Sequence, residues 1–260
     1  MPTLRDIEKA VYELAPRELA MEGDNVGLLI GRPDREVTKI LVALDVTEAV
    51  AEEAAEMGAN LIVAHHPVMN CAWSPVQTIR DDKPQGRLFL KLIENDIAAI
   101  CMHTNLDRAN GGVNDALAAR LGLGHVEKLP GGDGVLRVGE LPGEMVLPEF
   151  LKWVKAAIAP NGIRFADGGK PIRKVAVGGG ACGGYLWAAA ENGCDAFVTS
   201  DLKYNQFLDA QDLGLTVIDA GHFPTEDVVC PVLVKYLEEK FPGVEIKKSA
   251  VHKEAVQYYV

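Results

Sequence analysis

The chain has 260 residues, 48% of them apolar, 24% charged and 6% aromatic, a composition that builds a sizeable core and excludes a disordered chain. Its 37 acidic and 26 basic side chains leave a net charge of −11, which repels a phosphate backbone and argues against a nucleic-acid partner. No apolar stretch reaches the roughly 18 residues of a membrane span, and the opening MPTLRDIEKAVYELAP lacks the basic patch and apolar run of a signal peptide, so a cytoplasmic protein is expected.

In chain order, Leu4, Ile7, Val11 and Leu14 share one face of a predicted helix that stops before Pro16, and a loop follows at Gly23-Asp24-Asn25. The run Lys39-Ile-Leu-Val-Ala-Leu-Asp45 is short and continuously apolar, the mark of a buried strand in a parallel sheet. Thr47 is placed to cap a helix that includes Val50 to Met57 and stops at Gly58. A strand over Asn60 to Ala64, a helix over Pro84 to Glu94, a strand over Ile97 to Met102 and a helix over Val113 to Leu121 complete a β-α-β-α-β-α order.

A Gly- and Pro-rich middle, Leu129 to Gly143, and a helix over Pro148 to Ile158 lead into a second half that repeats this order. Strands are expected over Lys174 to Val177, Ala196 to Thr199 and Leu215 to Asp219. Helices are expected over Tyr185 to Glu191, Tyr204 to Leu213 and Glu226 to Lys240. The segment Glu53 to Ala64 aligns with Trp187 to Thr199 with one insertion, and His65 and Ser200 lie equally far beyond Lys39 and Lys174. The expected fold is therefore α/β, two similar lobes of alternating βα units with mainly parallel sheets. The N-terminal lobe takes residues 1–128, a linker 129–146 and the C-terminal lobe 147–260. In such sheets ligands bind at the carboxyl ends of the strands, here placing a site at the strand ends between the lobes.

Three apolar strands run directly into metal-type ligands. The first ends as His65-His66-Pro67, where neighbouring imidazoles point apart and suit two ions, or one ion and a partner. The second ends as His103-Thr-Asn-Leu-Asp107, and the third as Asp219-Ala-Gly-His222-Phe-Pro-Thr-Glu226, where Thr225 is placed to cap a helix beginning at Glu226. Four of the six histidines fall at these ends, with Asp107 and Glu226 beside them. Mixed imidazole and carboxylate donors suit two divalent ions drawn from Zn, Fe, Mn, Ni and Co better than Ca.

Other features are weaker. Gly178-Gly-Gly-Ala-Cys-Gly-Gly184 reads equally as an anion loop or a close-packing turn. Asp201 occupies the place that His65 and His66 hold in the first half. It reads as a carboxylate behind a ligand or beside a substrate, or as a helix cap. His125 and His252 read as surface residues. The cysteines, Cys71, Cys101, Cys182, Cys194 and Cys230, are odd in number and have no CxxC spacing, which points to reduced core thiols.

Taken together, Gly23-Asp-Asn-Val-Gly-Leu28, Leu61-Ile-Val-Ala-His-His-Pro67, His103-Thr-Asn-Leu-Asp107 with Gly111-Gly-Val-Asn-Asp115, Thr199-Ser-Asp201 and Gly221-His-Phe-Pro-Thr-Glu226 resemble the NIF-three-like family (NGG-one-interacting factor three) along essentially the whole chain. Its members are also called dinuclear metal centre proteins or GTP cyclohydrolase I type 2 homologues. The resemblance implies a two-lobed α/β subunit, a toroidal homohexamer and a two-metal site held by His65, His66, Asp107, His222 and Glu226, with His103 near the ions. The sequence departs from the family pattern at Ser200, where a glycine is common, and at Tyr204-Asn205, where a Tyr-His pair is common. The expected activity is metal-dependent hydrolysis of a nucleotide or another phosphate-bearing small molecule, GTP cyclohydrolase-like by the resemblance, with His103 or Asp201 expected to handle protons and the Gly178 to Gly184 loop to hold a phosphate. The rival reading is a non-catalytic metal-binding ring that serves as a scaffold or regulatory partner.

Overall fold

The computed structural model describes residues 1–69 and 75–259, and Cys71 lies outside the described residues. The chain forms two compact units, one of Met1–Ala109 with Cys230–Lys253, the other of Asn110–Val229 with Glu254–Val260.

In the first unit, helix α1 (Leu4–Leu14) begins at a Thr3 capping box completed by Asp6 and ends at Ala15, just before Pro16. The sheet strands are β1 (Gly27–Ile30), β2 (Lys39–Ala43), β3 (Leu61–Ala64), β4 (Ala98–Cys101) and β11 (Glu245–Lys248), ordered β1-β4-β3-β2-β11. All neighbours pair in parallel except β1 on β4. Helix α2 (Glu48–Met57) is capped by Thr47 and closed by Gly58 at φ 69°, a left-handed turn that glycine adopts without steric cost. With α3 (Pro84–Glu94) it covers one sheet face: Val50, Ala51, Ala54, Leu88, Phe89 and Leu92 pack on Leu41, Ala43, Ile62, Ala64, Ala99 and Cys101. Strand residues of opposite parity are buried as well, which explains the continuous apolar runs.

The second unit contains α5 (Val113–Arg120), β5 (Gly124–Lys128), β6 (Arg137–Met145), α6 (Leu147–Ile158), β7 (Arg164–Ala166), β8 (Ile172–Val177), α7 (Leu186–Glu191), β9 (Ala196–Thr199), α8 (Tyr204–Asp212) and β10 (Thr216–Asp219). Its sheet runs β5-β6-β8-β9-β10-β7, with parallel β8, β9 and β10 flanked by antiparallel strands on both sides. Phe150, Val154 and Ile158 of α6 join Leu117, Ala118 and Leu121 over Val175, Val177, Val198 and Ile218. The β2-α2-β3-α3-β4 and β8-α7-β9-α8-β10 stretches have the same order and the same strand adjacency, so the repeat read in the sequence is a repeat of architecture.

The contiguous boundaries expected from the sequence are corrected in two places. Residues 129–146 are no free linker, because Arg137–Met145 is a sheet strand between β5 and β8. The expected lobe over 147–260 loses residues 230–253 to the first unit: α10 (Cys230–Lys240) leads into β11, which pairs with β2 and covers an otherwise open apolar edge. Tyr236 of α10 donates to the carbonyl of Ala10 at 2.7 Å. Strands β11 and β5 carry no apolar run that would mark them in the sequence, since β11 reads Glu-Ile-Lys-Lys and β5 is exposed along its length. The helix expected over Glu226 to Lys240 is divided into α9 (His222–Glu226), a 3-10 turn over Asp227–Val229 and α10. Pro231 explains the break, since it has no N–H with which to continue a helix from α9.

The four described cysteines are all buried. Burial pushes the Cys101 thiol up to about 12 and that of Cys194 up to about 11, which leaves both inert at neutral pH.

Arg137, 1% exposed, is held by Asp115 of α5 through Nε at 2.7 Å and Nη2 at 3.1 Å. It also donates to the carbonyls of Gly134 and Val135. Asp115→Ala would strand that charge, and a loss of about 3 kcal/mol is expected in urea unfolding. Asp34→Ala, which breaks an exposed pair with Arg5 at 3.0 Å, is expected to cost under about 0.5 kcal/mol in the same assay.

Candidate metal centre

In the first unit the strand ends are level: Ala43 pairs with Ala64, and Ala64 with Cys101. Two residues beyond these stand Asp45, His66 and His103, so the register alone brings three polar side chains to one edge of the sheet. His65 and His66 have ring centroids 4.8 Å apart, and His103 stands 5.3 Å from the first and 5.6 Å from the second. One ring nitrogen from each of the three lies within 4.8 Å of the others, close enough to share an ion.

The hydrogen bonds decide which nitrogen that is. His65, fully buried, has Nδ1 at 2.8 Å from the carbonyl of Met102. A carbonyl only accepts, so Nδ1 carries the proton and Nε2 presents its lone pair. Nε2 lies 3.6 Å from Asp107 Oδ1. Ligands bound at about 2.0–2.1 Å to a tetrahedral ion stand roughly 3.3 Å apart, so this spacing fits two donors to one metal.

His66 and His103 follow the same rule with carboxylates. His66 Nδ1 donates to Asp45 Oδ1 at 2.7 Å, and His103 Nδ1 donates to Asp24 Oδ1 at 3.0 Å. Burial opposes the charge on Asp24, but hydrogen bonds from His103 and from Thr104 outweigh it and hold the carboxyl well below its ordinary range. Burial likewise opposes ionisation of Asp45, and hydrogen bonds from His252 and His66 overcome it. Ionised carboxylates accept and cannot donate, so each imidazole turns Nε2 outward. Asp24 also accepts from the backbone N–H of Thr104 at 3.0 Å, pinning the Gly23-Asp24-Asn25 loop to α4 (Thr104–Arg108), the helix that presents Asp107.

The second unit repeats the device with its own residues. His222 opens α9 and Glu226 closes it, the same one-turn spacing as His103 and Asp107 around α4, and both pairs follow the third strand of their βαβαβ repeat. His222 Nε2 lies 3.0 Å from Glu226 Oε2, and its Nδ1 lies 2.6 Å from Asp201 Oδ2. Burial opposes a charge on His222, but hydrogen bonds to Asp201 and Glu226 prevail and raise its pKa to about 10. The hydrogen bond from His222 in turn holds the Asp201 carboxyl below its usual range. Asp201 sits at φ 54°, a left-handed backbone that Asp tolerates better than most residues.

Two expectations change here. Thr225 caps no helix at Glu226; its hydroxyl donates to the carbonyl of Gly221 at 2.9 Å and accepts from the Gly180 N–H at 3.1 Å, tying α9 to the glycine loop. In that loop Gly178 N–H donates to Val198 O, Gly179 N–H to Asn114 Oδ1 and Cys182 N–H to Thr199 Oγ1, and a Cβ at Gly178, Gly179 or Gly183 would stand about 3 Å or less from a neighbouring atom. It is a close-packing turn. A Cβ at Gly180 would stand 2.0 Å from Glu226 Oε1 and 3.2 Å from His222 Nε2, so the missing side chain is what makes room for the carboxylate. His252, expected at the surface, has a side chain 10% exposed and stands 3.2 Å from Asp45. His125 is exposed, as expected. Sequence reasoning missed Asp24 and Asp45 as histidine partners, although both stand in segments that it singled out.

Gly180→Ala, which adds a methyl group at φ 66° against Glu226, is expected to weaken Zn2+ binding by at least about tenfold in calorimetric titration. The left-handed backbone itself should cost only about 1–2 kcal/mol of stability.

The chain has clear relatives among known proteins. The family model for Duf34/NIF3 (NGG1p interacting factor 3) matches residues 2–255. The chain is similar to the protein called GTP cyclohydrolase 1 type 2 homolog of Clostridium perfringens, at 38% identity over 91% of this chain and 90% of that one. It is similar to its namesake of Lactococcus lactis, at 38% identity over 92% and 93%. Among solved structures, a Bacillus cereus protein related to NIF3 superposes with a TM-score of 0.92 at 30% identity, covering 100% of this chain and 99% of that one. With matched residues running nearly from end to end, the chain belongs to the Duf34/NIF3 family.

Proposed function

We propose that this protein is a dinuclear-metal-dependent hydrolase acting on a nucleotide or another phosphate-bearing small molecule, with two divalent ions held by His65, His66, Asp107, His222 and Glu226. The observation that carries the reading is the uniform treatment of the histidines. At His65, His66, His103 and His222 alike, Nδ1 is engaged by an oxygen acceptor, which leaves Nε2 as the nitrogen able to meet an ion; at His222 that Nε2 faces Glu226 Oε2 at 3.0 Å, so an ion bound by the pair replaces a proton. The relatives' name, GTP cyclohydrolase 1 type 2 homolog, supplies the substrate class. When bound, such ions supply Lewis acidity and bring the ionisation of water toward neutral pH.

The chain's own residues have separable tasks in this reading. His65, Asp107 and Glu226 are buried or nearly so and bring donors with little freedom to move. Asp201, bonded to His222, is a positioning residue that keeps the imidazole plane fixed. His103, with its Nδ1 proton directed at Asp24, offers Nε2 to accept a proton during hydrolysis. Opening a purine ring and cleaving a phosphoester both draw on this equipment.

The test begins with metal content by plasma mass spectrometry on protein purified without chelator or affinity tag. About two ions per chain are expected, lost in His66→Ala and in Glu226→Ala while both variants stay folded by circular dichroism. The loaded protein is then offered GTP and a panel of nucleotides and phosphoesters. A protein that takes up no ion would overturn the proposal, and full loading with no turnover of any substrate would move the metal to a scaffolding role.

The same reading includes a homohexamer, carried from the family resemblance. Light scattering is expected to give six times the chain mass, and a monomer would remove that part of the proposal. Among the described residues no helix is long and apolar enough to cross a membrane.

A further inference from the structure

His252 lies far along the chain from every proposed ligand, yet the fold brings it to one of their supports. It follows β11, and the segment that bears it is tightly fastened. Ser249 N–H donates to Val42 O at 2.8 Å, Ser249 Oγ and Ala250 N–H both donate to the Glu53 carboxylate of α2, and His252 N–H donates to Ser249 Oγ at 3.1 Å. This turn holds the His252 ring with Nε2 at 3.2 Å from Asp45 Oδ2. The other oxygen of that carboxylate, Oδ1, receives His66 Nδ1 at 2.7 Å.

We propose that His252 is a positioning residue for the metal ligand His66, acting through Asp45, whose carboxylate it clamps by the oxygen that His66 does not use. The inference rests on the reading of His66 as a ligand. The Asp45 side chain is 40% exposed, and a carboxylate in contact with water and bonded through one oxygen swings about its side-chain torsions. Bonded through both, it has one orientation, and the His66 ring that donates to it takes one plane. His252 thus lowers the ordering cost of metal binding without touching the ion. The chain end is thereby made part of the site, because β11 must pair with β2 before His252 can reach Asp45.

The test uses the full chain stripped of metal and titrated with Co2+ alone, following the visible absorption of the bound ion, and with Zn2+ by calorimetry. Two variants separate hydrogen bonding from packing. His252→Phe fills the space without a donor, and His252→Gln keeps an amide N–H close to the position of the imidazole Nε2. We expect His252→Phe to weaken binding by about threefold to tenfold, less than the 10- to 100-fold of a residue bonded directly to a ligand, and to alter the Co2+ spectrum. His252→Gln is expected to restore both. Metal-free thermal unfolding of the two variants should be alike. If His252→Phe binds as the natural chain does, or if His252→Gln binds as weakly as His252→Phe, the inference fails while the metal-centre reading stands. If the natural chain binds no Co2+ at all, the metal-centre reading fails and the inference with it.

Discussion

An imidazole has two nitrogens and, when neutral, one proton, and the site depends on where that proton sits. At His65 a backbone carbonyl fixes it on Nδ1, and at His66 and His103 ionised carboxylates do the same. Each acceptor lacks a proton to give, so the alternative tautomer would place two lone pairs face to face at hydrogen-bonding distance. The fold thus selects which nitrogen of each ring is left able to meet an ion. Keeping Asp24 and Asp45 ionised is part of the same device, because a protonated carboxyl could donate and release the ring.

What sets these groups at the right height is plain β geometry. Parallel strands whose last residues are in register finish level, and polar residues two positions further on emerge together at one edge. The glycine loop of the second unit adds the complementary element, which is space. The N–H groups of Gly178, Gly179, Gly180 and Cys182 hold neighbouring segments, and Gly180 leaves a gap that the Glu226 carboxylate fills. A glycine-rich turn between a strand and a helix is commonly read as a phosphate cradle. Here the hydrogen bonds make it the wall that positions a carboxylate.

The two units use one architecture for different donor chemistry. Each has three consecutive parallel strands, and each follows the third with a one-turn helix that separates a histidine from a carboxylate by four positions. In the first unit the middle strand delivers two imidazoles, while in the second the equivalent positions deliver Ser200 and Asp201, and the aspartate serves His222. The repeated scaffold sets places, and the residues in those places divide into proposed ligands and the groups that hold them. Supports reach the first unit from remote parts of the chain: Asp24 from the loop after α1 and His252 from beyond β11.

Much of this was legible in the sequence because it is local. The limits of α1, α2 and α3 follow from caps, prolines and glycines within a few residues of each end. The buried strands follow from runs of apolar residues, and the candidate ligands from polar residues set directly after those runs. Three strands were not legible: the edge strands β5 and β11 carry few apolar residues because one side of an edge faces water, and the inner strand β6 contains Pro142 and Gly143. Nor were the histidine partners, since Asp24 and His103 lie 79 positions apart and only the packed chain brings them together. The sequence by itself determined the element order, the duplicated pattern and the residue types at the strand ends, all of which depend on spacing within a dozen residues. Only the tertiary structure decided that the last strand returns to the first sheet, that the glycine loop makes room for a carboxylate, and that the His252 side chain is largely buried beside Asp45. Each of these depends on a contact between distant segments, whose free energy appears only after the chain has paid the entropy of bringing them together.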